Sequence, residues 1–175
     1  PATTDPIIEQ MRPHGKRRII ATLEVSADGT KDHTSIGAAL AAARVIQTET
    51  RAAEGVGSLT PDYWVCILVH PGIYPEKSLS LGPAVSVHGM GPGVEIVEKQ
   101  NTQGTGLASD WSGDVIVGSG FWEGVTFRQP NSDPAVNMRG KYLLHNIVGG
   151  DYASVFIGCT FIEENPNANA VWGQN

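Results

Sequence analysis

The sequence predicts a mainly β fold, a parallel β-solenoid whose N-terminal end is capped by one α-helix. Three observations predict it: one amphipathic helix, a long series of short apolar strands after that helix, and an internal repeat with a nearly constant spacing. The 21 glycines and many polar residues between the strands favour sharp corners. A β-sandwich also has short, evenly spaced strands, but the Asn-Gly pairs typical of its hairpins are absent.

The helix is predicted from about Thr34 to Ala53. Thr34 or Ser35 can supply the N-cap oxygen, and the glycines at 55 and 57 end the helix. Its apolar face suits close packing because many alanines lie on and around it. At about 100° per residue that face contains Ile36, Ala39, Leu40, Ala43 and Ile46.

The strands on both sides of this helix are read from apolar runs. Before it, the strand within RIIATLEV ends at the turn Asp28-Gly29, where glycine tolerates a positive φ. After it, YWVCILV is apolar at every position, which indicates a strand buried on both faces. Further strands are predicted within AVSVHG, VEIVE, DVIVG, GVTF, AVNM, YLLHNIV, SVFIGCTF and AVWG.

The internal repeat links two of these strands. The sequence GVTF at 124–127 recurs as GCTF at 158–161, and the pair Ala-Val at 135–136 recurs at 170–171. Similar local patterns at nearly constant offset predict equivalent strands stacked on one another. We therefore expect a parallel pairing of the two copies with the following side chains pointing inward: Val125, Phe127, Cys159 and Phe161.

Length and charge limit the class of protein. A chain of 175 residues predicts one domain, and a net charge of −6 argues against nucleic acid as the main partner. No apolar stretch approaches membrane-spanning length, and no basic-then-apolar leader opens the sequence, so we expect no membrane partner and no signal peptide. The start PATTDP is typical of a chain that has lost only its initiator methionine, which favours synthesis inside the cell.

The first eighteen residues form a separate prediction. They contain three prolines and no sustained periodicity, so residues 1–18 are interpreted as a flexible basic arm and 19–175 as the single folded domain. The arm carries four basic residues close together, Arg12, Lys16, Arg17 and Arg18. Two interpretations remain open: a solvated, mobile tail, or a docking arm for an acidic surface of a partner.

One known family resembles the order of these segments. The series VSADGTKDHTSIGAALAAA, VCILVHPGIYPEKSLSL, VSVHGMGPGVEIV, GSGFWEGVTFRQ, AVNMR and FIGCTF is similar to the N-terminal half of the pectinesterases, within the pectin-lyase-like group. The resemblance extends from about Val25 to Phe161. It implies a right-handed, single-stranded parallel β-helix, with the helix at 34–53 covering its N-terminal end and Val65–Glu98 forming its first winding.

The same resemblance implies that the family's ester hydrolysis is absent. The family has a glutamine before its AVALR-like segment, where this sequence has Pro134, a residue without a side-chain donor. The Gln-Asp-Thr motif expected within IEENPNANAVW is missing, and the sequence ends at Asn175 before the windings that carry the nucleophilic Asp and its Arg. We therefore expect no pectinesterase activity.

Other chemistry is weakly indicated. Cys66 and Cys159 lie in apolar runs and are interpreted as small buried hydrophobes, not as a disulfide or metal site. The histidines at 33, 70, 88 and 145 lack metal-binding spacing, so hydrogen-bonded roles are favoured, and no cofactor or metal is expected. Two acidic pairs, at 110 and 114 and at 163 and 164, are interpreted as solvated rather than catalytic.

Aromatic side chains suggest a surface with two interpretations. They either stack on a sugar along one face or pack between strands and subunits, and we favour packing. The oligomer or glycan surface so predicted comprises Trp111, Trp122, Tyr152 and Trp172.

These observations lead to two hypotheses of function. In the first, the chain is a non-catalytic structural protein that forms a homo-oligomer, a trimer, on a larger assembly such as the capsid or tail of a tailed phage. It would then lie on the virion surface, or in the cytoplasm before assembly. In the second, it binds or modifies carbohydrate on a pectinesterase-like scaffold. A short solenoid buries little core on its own, which favours the first hypothesis.

Overall fold

A computed structural model describes residues 18–55, 63–76, 79–82, 84–98, 116–117, 121–129, 142–146, 155–164 and 169–173. These residues form one helix and thirteen strands. In chain order they are β1 (Arg18–Val25), α1 (Ile36–Ala53), β2 (Tyr63–Val69), β3 (Gly72–Glu76), β4 (Leu79–Ser80), β5 (Val85–Gly89), β6 (Val94–Glu98), β7 (Ile116–Val117), β8 (Phe121–Glu123), β9 (Thr126–Gln129), β10 (Tyr142–Asn146), β11 (Val155–Ile157), β12 (Thr160–Glu163) and β13 (Asn169–Gly173).

The strands form three sheets, and every strand pairing in the described ranges is parallel. The first sheet has the order β1-β2-β5-β8-β11, the second β3-β6-β9-β12 and the third β4-β7-β10-β13. From β2 onward, successive strands therefore belong to the first, second and third sheet in turn. The predicted mainly β architecture with parallel sheets and one helix is confirmed.

The internal repeat lies in two neighbouring strands of the second sheet. Thr126 pairs with Thr160, and Phe127 pairs with Phe161, in parallel register. The expected pairing of the two copies is thus confirmed. Each copy begins with a glycine of positive φ, at 64° in the first and 59° in the second, a backbone conformation that residues with a Cβ rarely adopt. Each copy therefore starts at a sharp corner of the same kind, between a strand of the first sheet and a strand of the second.

The segment Val65–Glu98 contains two sets of paired strands. β5 pairs with β2 and β6 pairs with β3, so the second half of the segment lies beside the first half. The prediction that the segment forms one winding is therefore wrong. The Gly-rich sequence at 89–93 joins β5 to β6, each of which pairs with a strand from the first half of the segment.

Helix α1 begins after an N-cap at Ser35, whose hydroxyl oxygen accepts a hydrogen bond from the backbone N–H of Ala38 at 3.2 Å. Of the two N-cap candidates, Ser35 is therefore the one used. The helix ends at Ala53, and Gly55 follows with a φ of 68°. Its buried face packs against the first four strands, which places it over one end of the three sheets.

The core lies between the sheets and under this helix. Strand β2 alternates, with Val65, Ile67 and Val69 buried and the residues between them partly exposed. The prediction of burial on both faces is therefore wrong, because an all-apolar run can also place its alternate side chains on a partly exposed face. In the second sheet Phe127 is fully buried, and Phe161 is partly buried against the core.

Candidate functional site

The predicted basic cluster is only partly within the described residues. Arg12, Lys16 and Arg17 lie outside the described ranges. Arg18 is the first residue of β1, and its Nη1 lies 2.7 Å from Oε1 of Glu54, just after helix α1. Strand β1 thus begins one residue before the predicted boundary, so Arg18 belongs to the sheet and not to an arm.

One residue of the predicted aromatic surface, Trp122, lies in the core. Trp122 is fully buried and packs edge-on against Phe127, with ring centroids 5.2 Å apart. It pairs in register with Val87, another core residue, and strand alternation turns both side chains inward. The prediction that Trp122 contributes to an exposed oligomer or glycan surface is therefore wrong.

The other three aromatic residues of the predicted surface, or their side chains, lie outside the described part of the chain. Trp111 and Tyr152 lie outside the described residues. Trp172 belongs to β13, where its backbone pairs with His145 of β10, and only that backbone is described. Trp122 is thus the one member of the predicted set whose side chain has a described position.

One side of the first sheet carries Ser86, which is buried, and His88 and Glu123, which are partly exposed. We call it the outer face; it consists of two rows that run across β2, β5, β8 and β11. One row contains Cys66, Ser86, Phe121 and Val155, and the next contains Leu68, His88, Glu123 and Ile157.

A histidine and a glutamate meet in the middle of this face. His88 Nδ1 lies 2.8 Å from Oε2 of Glu123, and their side chains are 20% and 27% exposed. Since a carboxylate only accepts hydrogen bonds, Nδ1 carries the proton in this contact. The His88 ring also contacts Phe121, with centroids 5.3 Å apart. This supports the expected hydrogen-bonded role of His88.

The cysteine on the same face, Cys66, is free and partly buried. Burial raises the pKa of the Cys66 thiol, and a hydrogen bond with Ser86 opposes this less strongly. Burial likewise raises the pKa of Cys159. Because a nucleophilic or metal-binding cysteine acts as its thiolate, raised pKa values fit the interpretation of both as free, partly buried apolar residues.

A second acidic group lies at the end of β1. Oε2 of Glu24 is 2.6 Å from Lys31 Nζ and 3.0 Å from His70 Nε2. The hydrogen bond from Lys31, followed by that from His70, holds the pKa of Glu24 below its usual range. The negative charge of Glu24 is thus stabilised by Lys31 and His70 of the same chain.

The second sheet carries a similar ionic group. The Nε of Arg128 lies 3.1 Å from Oε1 of Glu95 and 3.7 Å from Oε1 of Glu164. The Nε–H makes no hydrogen bond with either oxygen, so these contacts are ion pairs. The three residues connect β6, β9 and the residue after β12 on the outside of the sheet.

The N-terminus of helix α1 is held by a distant carboxylate. Oε1 of the buried Glu76 accepts hydrogen bonds from the backbone N–H of Ile36 at 2.5 Å and of Gly37 at 3.2 Å. These N–H groups have no partner within the helix, and a negative charge there also favours the helix dipole. A Cβ at Gly37 would lie 3.2 Å from the other Glu76 oxygen, so glycine permits this close approach.

The other half of the helix is held by a buried amide. Nε2 of Gln47 donates to the carbonyl oxygens of Tyr63 at 3.1 Å and Ala84 at 3.2 Å. The same Ala84 carbonyl accepts from the N–H of Val65 at 3.0 Å. Ala84 has a φ of 61°, a conformation that costs about 1 kcal/mol or more outside glycine. Two donors on its carbonyl offset this cost.

The polar side chains described above contact other residues of the chain. Among the described residues, no group of three or more His, Cys, Asp or Glu side chains is placed to hold a metal ion. Within the same ranges, no helix combines the length and apolar character needed to cross a membrane. The acidic residues at 110 and 114 lie outside the described part of the chain, and Glu164 contacts Arg128.

Comparison with known proteins does not assign the chain: no protein-family model, curated protein or solved structure matches it.

Sequence reasoning missed the two polar residues that attach the helix. Glu76 lies in PGIYPE and Gln47 lies on the helix, and neither belongs to a motif that predicts its partner. Gln47 carried one signal, since it follows Ile46 and falls near the predicted apolar face. A polar residue at such a position indicates a buried hydrogen bond, but the sequence does not identify the acceptor.

Proposed function

We propose that this chain is a short, right-handed, single-stranded parallel β-helix of the pectinesterase-like kind that serves as a non-catalytic structural protein. The order of the strands carries the proposal. From β2 to β13 each strand belongs to the next of three sheets, and every described pairing is parallel. A chain that returns to each sheet one strand further along, about 4.8 Å away, follows the path of a solenoid.

The position of helix α1 supports the same proposal. It packs on β1 to β4 and is attached through Glu76 and Gln47. A β-helix exposes unpaired backbone groups and apolar core at its ends, and these need a cover. An amphipathic helix, attached through the two polar residues Glu76 and Gln47, provides that cover at the N-terminal end.

The state of the described ionisable groups supports a structural role over a catalytic one. Glu24, Glu95 and Glu123 each contact a basic or imidazole group of the chain itself. Pro134 also stands where the pectinesterase resemblance implies a glutamine that stabilises the oxyanion. General acid-base chemistry needs a carboxyl group free to exchange a proton with the substrate, and these three carboxylates have other partners.

The partner in this proposal is a second and third copy of the chain. Strand β11 is the outermost strand of the first sheet in the described ranges, and its Val155 and Ile157 are each 39% exposed on the outer face. Parallel association about a three-fold axis brings identical side chains together, which apolar residues tolerate and unpaired charges do not. A homotrimer with these residues at the subunit contact satisfies that condition.

The larger assembly is proposed to be a tailed-phage particle, with the chain as a capsid decoration or a tail or fibre protein. The basic residues Arg12, Lys16 and Arg17 would attach it. In a trimer these residues are present three times, so a weak electrostatic contact gains affinity by avidity. This assignment rests on analogy with trimeric β-helical phage proteins.

Two experiments test the function. Mass spectrometry of purified virus particles from the source should find the chain in a copy number divisible by three. In the second experiment, a chain lacking residues 1–17 should fold but should not attach to the particles. Absence from particles would contradict the structural assignment. Methanol release from esterified pectin above that of heat-denatured protein, or saturable binding of a polysaccharide, would instead favour the carbohydrate hypothesis.

A matched pair of substitutions tests the proposed subunit contact. Ile157→Lys places a charge on the outer face and should dissociate the trimer, because three like charges would meet at the axis. Val45→Lys places the same charge on an exposed helix position, 54% accessible, and should leave the mass unchanged. Equal masses for both variants and the unmodified protein would show that association uses another surface.

A further inference from the structure

The turn between β1 and helix α1 contains a chemically fragile sequence. Asp28-Gly29 is the only Asp-Gly pair of the chain, and Gly29 has a φ of 77°. Next to glycine, an aspartate can form a succinimide, because no Cβ hinders the attacking backbone nitrogen. This reaction converts aspartate to isoaspartate and inserts an extra carbon into the backbone.

Several hydrogen bonds hold the side chain of this aspartate. Its Oδ1 accepts from the hydroxyl of Ser26 at 2.5 Å, from the hydroxyl of Thr30 at 2.7 Å and from the N–H of Thr30 at 3.0 Å. A carboxylate with three donors on one oxygen is held in a single orientation. These bonds lower the pKa of Asp28 to about 2, the contact with Ser26 contributing most.

The attacking atom of the reaction is held as well. The backbone N–H of Gly29 donates to the carbonyl oxygen of Ser26 at 3.1 Å. Residues 26 and 33 are also joined by a backbone hydrogen bond of 2.9 Å, which closes the base of the turn. Both reacting groups, the Asp28 carboxyl and the Gly29 nitrogen, are therefore engaged with other atoms of the same turn.

We propose that the turn at residues 26–33 protects Asp28-Gly29 from isomerisation, with the hydroxyls of Ser26 and Thr30 as the protecting groups. In the unprotected reaction the nitrogen of Gly29 forms a bond to Cγ of Asp28. The amide proton and the carboxyl OH leave as one water. A second water then opens the ring at either carbonyl, which gives aspartate or isoaspartate.

The hydrogen bonds oppose the first step in two ways. The OH leaves readily only from a protonated carboxyl, and a group whose pKa falls from 3.8 to about 2 is protonated in about sixtyfold fewer molecules at neutral pH. The donors also keep Oδ1 on the side of Thr30 and the Gly29 N–H on Ser26. Ring closure therefore competes with these hydrogen bonds.

The test compares the rate of isoaspartate formation at Asp28 in four full-length proteins, the unmodified chain and the variants Ser26→Ala, Thr30→Val and Thr30→Ser. Each is incubated for weeks at neutral pH, folded and in urea, and isoaspartate is measured by peptide mapping. We expect the folded unmodified chain to react at least about tenfold more slowly than the same chain in urea. When folded, Ser26→Ala and Thr30→Val should form isoaspartate several-fold faster than the unmodified chain. Thr30→Ser, which keeps the hydroxyl, should form it at the unmodified rate.

The urea arm provides the control for intrinsic reactivity, because all four chains should react at similar rates when unfolded. Circular dichroism confirms that each variant is folded before incubation. If one variant does not fold, the other variant still tests the proposal. So does the ratio of the isoaspartate formation rates of the unmodified chain, folded and in urea. Equal rates for the unmodified chain with and without urea, or unchanged rates in folded Ser26→Ala and Thr30→Val, would overturn it.

Discussion

Phe127 of β9 and Phe161 of β12 stack face to face, with ring centroids 5.2 Å apart and ring planes 13° from parallel. They occupy the same position in the two copies of the internal repeat, GVTF and GCTF. Identical side chains in directly paired positions of a parallel sheet place their rings at about the strand separation. The repeated phenylalanine in the sequence therefore corresponds to two rings that stack on neighbouring strands.

Phe127→Ala should lower the free energy of unfolding by about 3–5 kcal/mol, because it removes a fully buried ring and leaves a cavity between Trp122 and Phe161. Phe161→Ala should cost less, since Phe161 is only partly buried. Urea denaturation followed by circular dichroism measures both. A loss for Phe127→Ala no larger than the roughly 0.5 kcal/mol of a surface change would show that this ring is not in the core.

Gly89→Ala should destabilise the fold by about 1–3 kcal/mol, because its Cβ would lie 2.3 Å from the carbonyl oxygen of Gly124, the residue after the neighbouring strand β8. That oxygen belongs to the backbone and cannot rotate away. Gly82→Ala is the matched control, since a Cβ there meets no atom within 4 Å. Thermal unfolding compares the two, and equal midpoints would contradict the close approach of the corners after β5 and β8.

Glu76→Ala should weaken the attachment of helix α1 by about 1–3 kcal/mol, since it leaves two helix N–H groups without their acceptor. Glu76→Gln should cost less, because its amide oxygen can still accept. Glu164→Gln, which alters an exposed carboxylate 3.7 Å from Arg128, should change stability little. Urea unfolding monitored by the helical signal measures the series, and equal effects at the two glutamates would contradict the contact.

Acid should destabilise the fold partly through Glu24. Its pKa is lowered in the folded chain by Lys31 and His70, so its stabilising effect is fully present above its unfolded value of 4.5 and is lost as pH falls through the folded value. Glu24→Gln should therefore make the free energy of unfolding less dependent on pH below 4.5. Urea titrations across this acid range measure the slope, and an unchanged slope would contradict the pairing.

The sequence was sufficient to predict the helix and the pairing of the repeat. Helix α1 shows a 3.6-residue period because one face is buried, and the repeat shows identity because its two copies meet the same neighbours. Ser35 was one of two N-cap candidates, and only its geometry decides between them. These features depend on residues that are close in sequence or equivalent by repetition.

The remaining errors concern contacts between distant residues. Trp122 was assigned to the surface, although its register with Val87 places it in the core, because short strands do not reveal which alternate face is buried. The attachment of Ile36 to Glu76 joins residues forty positions apart, and no local pattern encodes it. Such contacts are fixed by strand register, which the sequence specifies only through the packing of the whole fold.

The mass of the chain in solution tests the proposed structural role most directly. Light scattering with size-exclusion chromatography, at micromolar concentration and moderate salt, should give three times the 18.6 kDa of one chain. The same measurement on Ile157→Lys should give the mass of a single chain. A mass of 18.6 kDa for the unmodified protein under these conditions would contradict the account.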